Sequence, residues 1–86
     1  MQFPKLFYFF YCLDPCGELT YKNIMRNIND ICLVDTTYFT VFYYAKYAES
    51  KNMIEIKQKK NVHYITLTPY GRKMREYIIN IITDLK

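Results

Sequence analysis

Glycine and proline are scarce in this sequence, with two glycines and three prolines in 86 residues, and tryptophan is missing altogether. So little glycine excludes a glycine-rich phosphate loop, and the low glycine and proline content argues against a disordered or low-complexity chain. One histidine, His63, and one serine, Ser50, leave no base and nucleophile to converge, and no acidic pair sits in a motif. Catalysis needs such a convergence, so the expectation is a protein that is not an enzyme and carries no cofactor. The apolar stretch at residues 6–13 is far short of the roughly 20 residues of a membrane helix. Lys5 is the only early charge and no small-residue cleavage site follows, so no secretory signal is read and the expected location is the cytoplasm.

Cysteine is sparse too. Cys12, Cys16 and Cys32 cannot all pair within one chain, and inside a reducing cell thiols stay free. Their default is a small, buried, unreactive side chain. A disulfide between subunits or within the first turn stays open for a host with a disulfide-rich cytosol. A zinc site would have to draw on Cys12, Cys16, Cys32 and His63. A lone CxxxC with two distant single ligands is a weak pattern, and no metal is expected.

What the chain does hold is an aromatic composition and an uneven charge. Ten Tyr and six Phe fall within a sequence that is 51% hydrophobic, enough for one domain with one modest core. The net charge is +4, yet residues 57–75 carry Lys57, Lys59, Lys60, Arg72, Lys73 and Arg75 with no acid, which leaves the rest at −2. A surplus confined to one stretch points to a polyanionic partner on one face. The plainer alternative is a solvated, lysine-rich hairpin.

Hydrophobic spacing sets out five elements. Residues 1–14 are apolar nearly all round and read as a helix, with Pro4 in its first turn and Asp14-Pro15-Cys16-Gly17 as its stop. Such a helix has a second apolar face that one small core cannot cover. Thr20 caps a helix over 20–30, in which Tyr21, Ile24, Met25 and Ile28 share a face. Asp35 or Thr36 caps a third helix over 36–51, with Val41, Tyr44, Ala45 and Ala48 inward and Asn52 closing it in the left-handed conformation. Residues 53–67 form a hairpin with Lys60-Asn61 at its tip. Thr68-Pro69 then opens a helix over 68–86, where Met74, Tyr77, Ile78, Ile81, Ile82 and Leu85 recur at helical spacing and Ile79 lies on a second face. The fold class is therefore mainly α with a β-hairpin.

Three segments resemble a known family. Leu67-Thr68-Pro69-Tyr70-Gly71-Arg72 is similar to the L-T-x-x-G-R signature that closes the wing and opens the last helix in winged helix-turn-helix regulators of the MarR and PadR type. Gly17-Glu18-Leu19-Thr20-Tyr21 resembles the G-x-L-T-Y segment at the start of their second helix. Lys51-Asn52-Met53-Ile54-Glu55 resembles the K-G-L-I-E exit from their recognition helix, with Asn in place of Gly. The competing reading is an unrelated α+β domain with the same element order. Small size and composition are also similar to winged-helix proteins of archaeal viruses and plasmids.

The resemblance implies a recognition helix in the major groove of double-stranded DNA, a wing over the adjacent backbone or minor groove, and a homodimer that regulates transcription. Carried onto this chain, the DNA-binding set is Thr37, Tyr38, Thr40, Tyr43 and Lys46 on the third helix, Lys57, Lys59, Lys60 and Asn61 on the wing, and Arg72. Arg72 has the alternative of a tie to the wing strands. The expected dimer seam joins Phe3, Leu6, Phe7 and Phe10 of the first helix to Tyr77, Ile78, Ile79 and Ile82 of the last. The third helix departs from the family in lacking the Arg, Gln and Asn that make bidentate base contacts. A second reading is therefore a protein-docking module with Phe39, Phe42 and Tyr43 as an apolar face. A third is base stacking on single strands, which the core spacing of most aromatics disfavours. No small-molecule site is apparent in the pattern.

Overall fold

The computed structural model describes residues 4–84, so Phe3 and Leu85 of the sequence reading lie outside the described residues. Seven elements follow in order: α1 (Lys5–Tyr11), β1 (Leu19–Thr20), α2 (Tyr21–Ile31), α3 (Tyr38–Ser50), β2 (Ile54–Lys59), β3 (Val62–Leu67) and α4 (Pro69–Asp84). The strands make an antiparallel sheet in the order β1-β3-β2. The core gathers one face from every element but β1: Phe9 and Phe10, Ile24 and Ile28, Val41, Ala45 and Ala48, Ile54, Ile65, Leu67 and Ile78.

Local chemistry explains the boundaries. α1 stops at Tyr11 rather than continuing to residue 14, because the Asp14 carboxylate accepts the Cys16 backbone N–H at 2.9 Å and turns the chain. Thr20 caps α2 in a reciprocal capping box with Asn23. The cap of α3 is Thr37, whose Oγ1 accepts from the Thr40 N–H at 3.3 Å, and not Asp35 or Thr36. The Thr36 N–H is instead taken by the Asn29 side chain at 2.9 Å, which holds the chain extended one residue longer. Lys60 and Asn61 both take positive φ (49° and 64°), as a two-residue hairpin between paired Lys59 and Val62 requires. Asn52, at φ 61°, closes α3 in the left-handed region as the sequence indicates.

β1 is the element that hydrophobic spacing does not reveal. Two residues carry no periodicity, and Leu19 and Thr20 become a strand only because Ile65 and Tyr64 lie opposite. One more expectation needs correcting. Of the residues placed on a dimer seam, Tyr77 is 65% exposed. Phe10 and Ile78, placed on the same seam, are 1% and 7% exposed and belong to the core of the subunit.

The resemblance motif around Gly71 has a packing reason. Thr68 donates its backbone N–H to the Met53 carbonyl (3.1 Å) and its hydroxyl to the Asn52 carbonyl (2.7 Å). The same hydroxyl accepts the Gly71 N–H at 2.9 Å, capping α4. The first turn of α4 is thereby drawn onto the corner between α3 and β2, where any Cβ on Gly71 would sit 1.7 Å from the Met53 carbonyl oxygen.

Candidate nucleic-acid interface

The outward side of α3 follows from its core face. Val41, Ala45 and Ala48 are fully buried, so the diametrically opposite stripe is Phe39, Tyr43, Lys46 and Ser50. Phe39 is 81% exposed and Tyr43 67%. Tyr38 and Phe42 flank that stripe and pack edge-on against Tyr21, at ring-centroid distances of 5.7 and 5.6 Å. His63 of β3 approaches the same Tyr21 ring at 5.7 Å. Tyr21 is thus the hub that fixes the start of α3 beside the wing. Its hydroxyl is buried with no hydrogen-bond partner among the described residues. Burial, with Tyr38 and Glu49 adding to it, pushes that phenol above its ordinary pKa.

A concavity of about 320 Å³ opens where these elements meet, lined by Thr20, Lys22, Tyr38, Asn61, Val62 and His63 among others. The structure therefore brings Tyr38 of α3 and Asn61 of the wing tip to one surface, and adds Lys22, which sequence reasoning did not select. Lys22 falls on the polar side of α2, a position that only the tertiary arrangement marks out.

The remaining residues of the expected set divide. Strand register and pleat place Ile54, Ile56 and Gln58 on one face of β2, with Glu55, Lys57 and Lys59 on the other. Lys57 and Lys59 thus lie on the face turned away from Tyr21, while Lys60 and Asn61 stand at the tip. Lys59 is paired with Glu18 at 3.1 Å and sits over the Tyr64 ring. Lys46 pairs with Glu49 at 3.7 Å and lies over Phe42. Thr37 and Thr40 spend their hydroxyls on the cap and on each other. Arg72 donates to the Leu67 carbonyl at 3.4 Å, the tie to the wing that was its alternative. Arg75, part of the basic stretch, donates to the Phe10 and Tyr11 carbonyls at 3.0 and 3.1 Å and so neutralises the C-terminal end of α1. The six cations of residues 57–75 are not one patch, and Lys57, Lys60 and Lys73 form no ion pair among the described residues.

Cys12 and Cys32, the C-cap residues of α1 and α2, bring their sulfurs to 3.6 Å. Cys16 is exposed and apart from them. Burial first, then Cys32, pushes the Cys12 thiol up to about 12 against a smaller opposing pull from Arg75. Among the described residues, no three His, Cys, Asp or Glu converge on a metal position, and no helix is long and apolar enough to cross a membrane.

No family model and no curated protein matches the sequence. Solved structures do match in fold. AF1382 from Archaeoglobus fulgidus superposes with a TM-score of 0.78 at 19% identity, over 95% of this chain and 88% of that one. Sso10a-2, a DNA-binding protein from Sulfolobus solfataricus, gives 0.76 at 15% identity, over 94% and 80%. BpsR from Bordetella bronchiseptica, whose DNA binding is regulated by 6-hydroxynicotinic acid, gives 0.74 at 16% identity, over 95% of this chain but only 56% of its own. Four helices, an antiparallel hairpin braced by β1 and this set of structural neighbours make the chain a winged helix.

Proposed function

We propose that this winged helix binds duplex DNA as a homodimer and regulates transcription. The observation that carries the reading is the shared surface of Tyr38, Lys22 and the wing tip, which aligns the start of α3 with Asn61 as a groove-and-backbone reader needs. The DNA-binding description of Sso10a-2 and the regulated DNA binding of BpsR support it. Backbone affinity comes from Lys57, Lys60, Lys22 and Lys73, with Lys59 contributing once it leaves Glu18. Asn61, Tyr38 and Tyr43 supply neutral hydrogen bonds. Leu6 and Phe7 of α1 and Tyr77 of α4 supply the seam between copies, while Ile79 and Ile82 lie on the other side of α4.

A gel shift on random duplex at low salt tests this directly, with retardation expected at micromolar protein. Replacing Lys57, Lys59 and Lys60 together by Ala is expected to weaken binding to all sequences alike and flatten the salt dependence. Unchanged affinity and slope would remove the wing from the mechanism. The second reading, an aromatic docking module for another protein, is favoured by the exposure of Phe39 and Tyr43 and predicts no retardation of any duplex.

A further inference from the structure

α3 contains no Arg, Asn or Gln, so it has no side chain able to grip adenine in bidentate fashion and only Lys46 for guanine. Its one cation, Lys46, is engaged by Glu49 and Phe42. The stripe pointing away from the core instead ends in a phenyl ring and a phenol, Phe39 and Tyr43, one turn apart and free of carboxylates. Lys22, which forms no ion pair among the described residues, lines the concavity at the start of this helix with Asn61 of the wing tip, so the surface is apolar in the middle and positive at its edge. The only base-edge feature in the major groove that an apolar ring reads is the thymine methyl. We propose that α3 selects A·T-rich duplex by burying thymine methyls against Phe39 and Tyr43, with Phe39 as the main specificity residue. This rests on the DNA-binding reading above.

The test compares three duplexes of equal length: A·T, the same sequence with every thymine replaced by uracil, and G·C. Removing a methyl that is buried on binding is expected to cost about fourfold in affinity for each one contacted. The A·T duplex therefore binds most tightly and the A·U duplex loses affinity by that factor per contact. Phe39→Ala, at an exposed position that leaves the core untouched, is expected to narrow the A·T to A·U difference while keeping the salt slope. Equal binding of A·T and A·U, or a difference that persists unchanged in both Phe39→Ala and Tyr43→Ala, would overturn methyl readout in favour of duplex shape. Failure to bind all three duplexes would instead sink the DNA-binding reading itself.

A separate observation carries a second inference. The sulfurs of Cys12 and Cys32 stand 3.6 Å apart, and a disulfide needs about 2 Å. We infer that these two cysteines form a reversible disulfide joining the C-terminal ends of α1 and α2. With a small disulfide such as oxidised glutathione as the oxidant, half-buried Cys32 attacks one of its sulfurs and releases one glutathione thiol. Cys12 then attacks the Cys32 sulfur and releases the second, so the protein loses two electrons and the oxidant gains them. Treatment of the folded chain is expected to give a mapped link between Cys12 and Cys32, with exposed Cys16 outside it. Closing that loop is expected to raise the melting temperature by roughly 10 °C or more, reversibly with dithiothreitol and not in Cys32→Ser. Products confined to Cys16-linked dimers, or glutathione left on Cys32 without the internal link, would overturn it.

Discussion

Gly71 sits where the first turn of α4 crosses the backbone of Met53, and a methyl group there has no soft neighbour to displace. Gly71→Ala is expected to cost about 3 kcal/mol or more, lowering the melting temperature by at least roughly 10 °C in a domain this small. A variant that melts within a few degrees of the parent would show that the corner yields. The sequence marks this glycine through its motif, but the reason for it is a contact with residue 53, which no local pattern contains. Cys12 offers a second test. Burial holds its thiol near 12 against an ordinary 9.0, so folding favours the protonated form. The associated stability is complete below about pH 9 and drains away as pH climbs toward 12, because only the unfolded chain ionises in that window. Unfolding free energy is expected to fall with pH there by up to about 1.4 kcal/mol per pH unit from this group. Denaturant midpoints for the parent and Cys12→Ala, compared from pH 8 upward, check it. Equal slopes would assign the loss to other groups.

Legibility at the scale of elements follows how local the determinants are. The hairpin and the start of α4 depend on adjacent residues, Lys60-Asn61 and Thr68-Pro69, and both stand where spacing puts them. The cap of α3 does not, because Asn29 competes for the Thr36 N–H and moves the helix start to Thr37. β1 exists only through β3. Charge is legible in amount but not in allocation: Arg75 and Arg72 serve the fold, and Lys59 is partnered by Glu18. The wing should therefore act unequally along its length. Lys60→Ala is expected to reduce the steepness of log affinity against log salt by about 0.9, the value of one phosphate contact, and Lys59→Ala by less. Glu18→Gln, which releases the Lys59 ammonium, should raise affinity and steepen the dependence. Fluorescence anisotropy at several salt concentrations measures all three, and equal losses from Lys59 and Lys60 would mean that the Glu18 pair opens on binding at no cost.

At the scale of the whole molecule, the face shared by α1 and α4 carries the proposed seam. An apolar pattern running all round α1 does not tell which side faces the core, and so Phe10 and Ile78 looked available when the core already holds them. What the fold leaves outward is Tyr77, 65% exposed, with Tyr11 at 37%, while half-buried Ile79 and Ile82 lie on the opposite side of α4. The Arg75 bonds to the last carbonyls of α1 keep the two helices in one arrangement, so a partner would meet a preformed surface. Tyr77→Glu places a charge in that seam without disturbing the core. Sedimentation should move from twice the 10.5 kDa subunit mass to the subunit mass, with circular dichroism unchanged. DNA affinity should drop by about a hundredfold or more, because each half-site then binds without the effective concentration that its tethered twin supplies. A parent protein that sediments as a monomer at concentrations where it saturates DNA would remove the seam from the mechanism. A Tyr77→Glu variant that stays dimeric would move the interface elsewhere, and the exposed ring of Phe39 on α3 would then be the next surface to mutate.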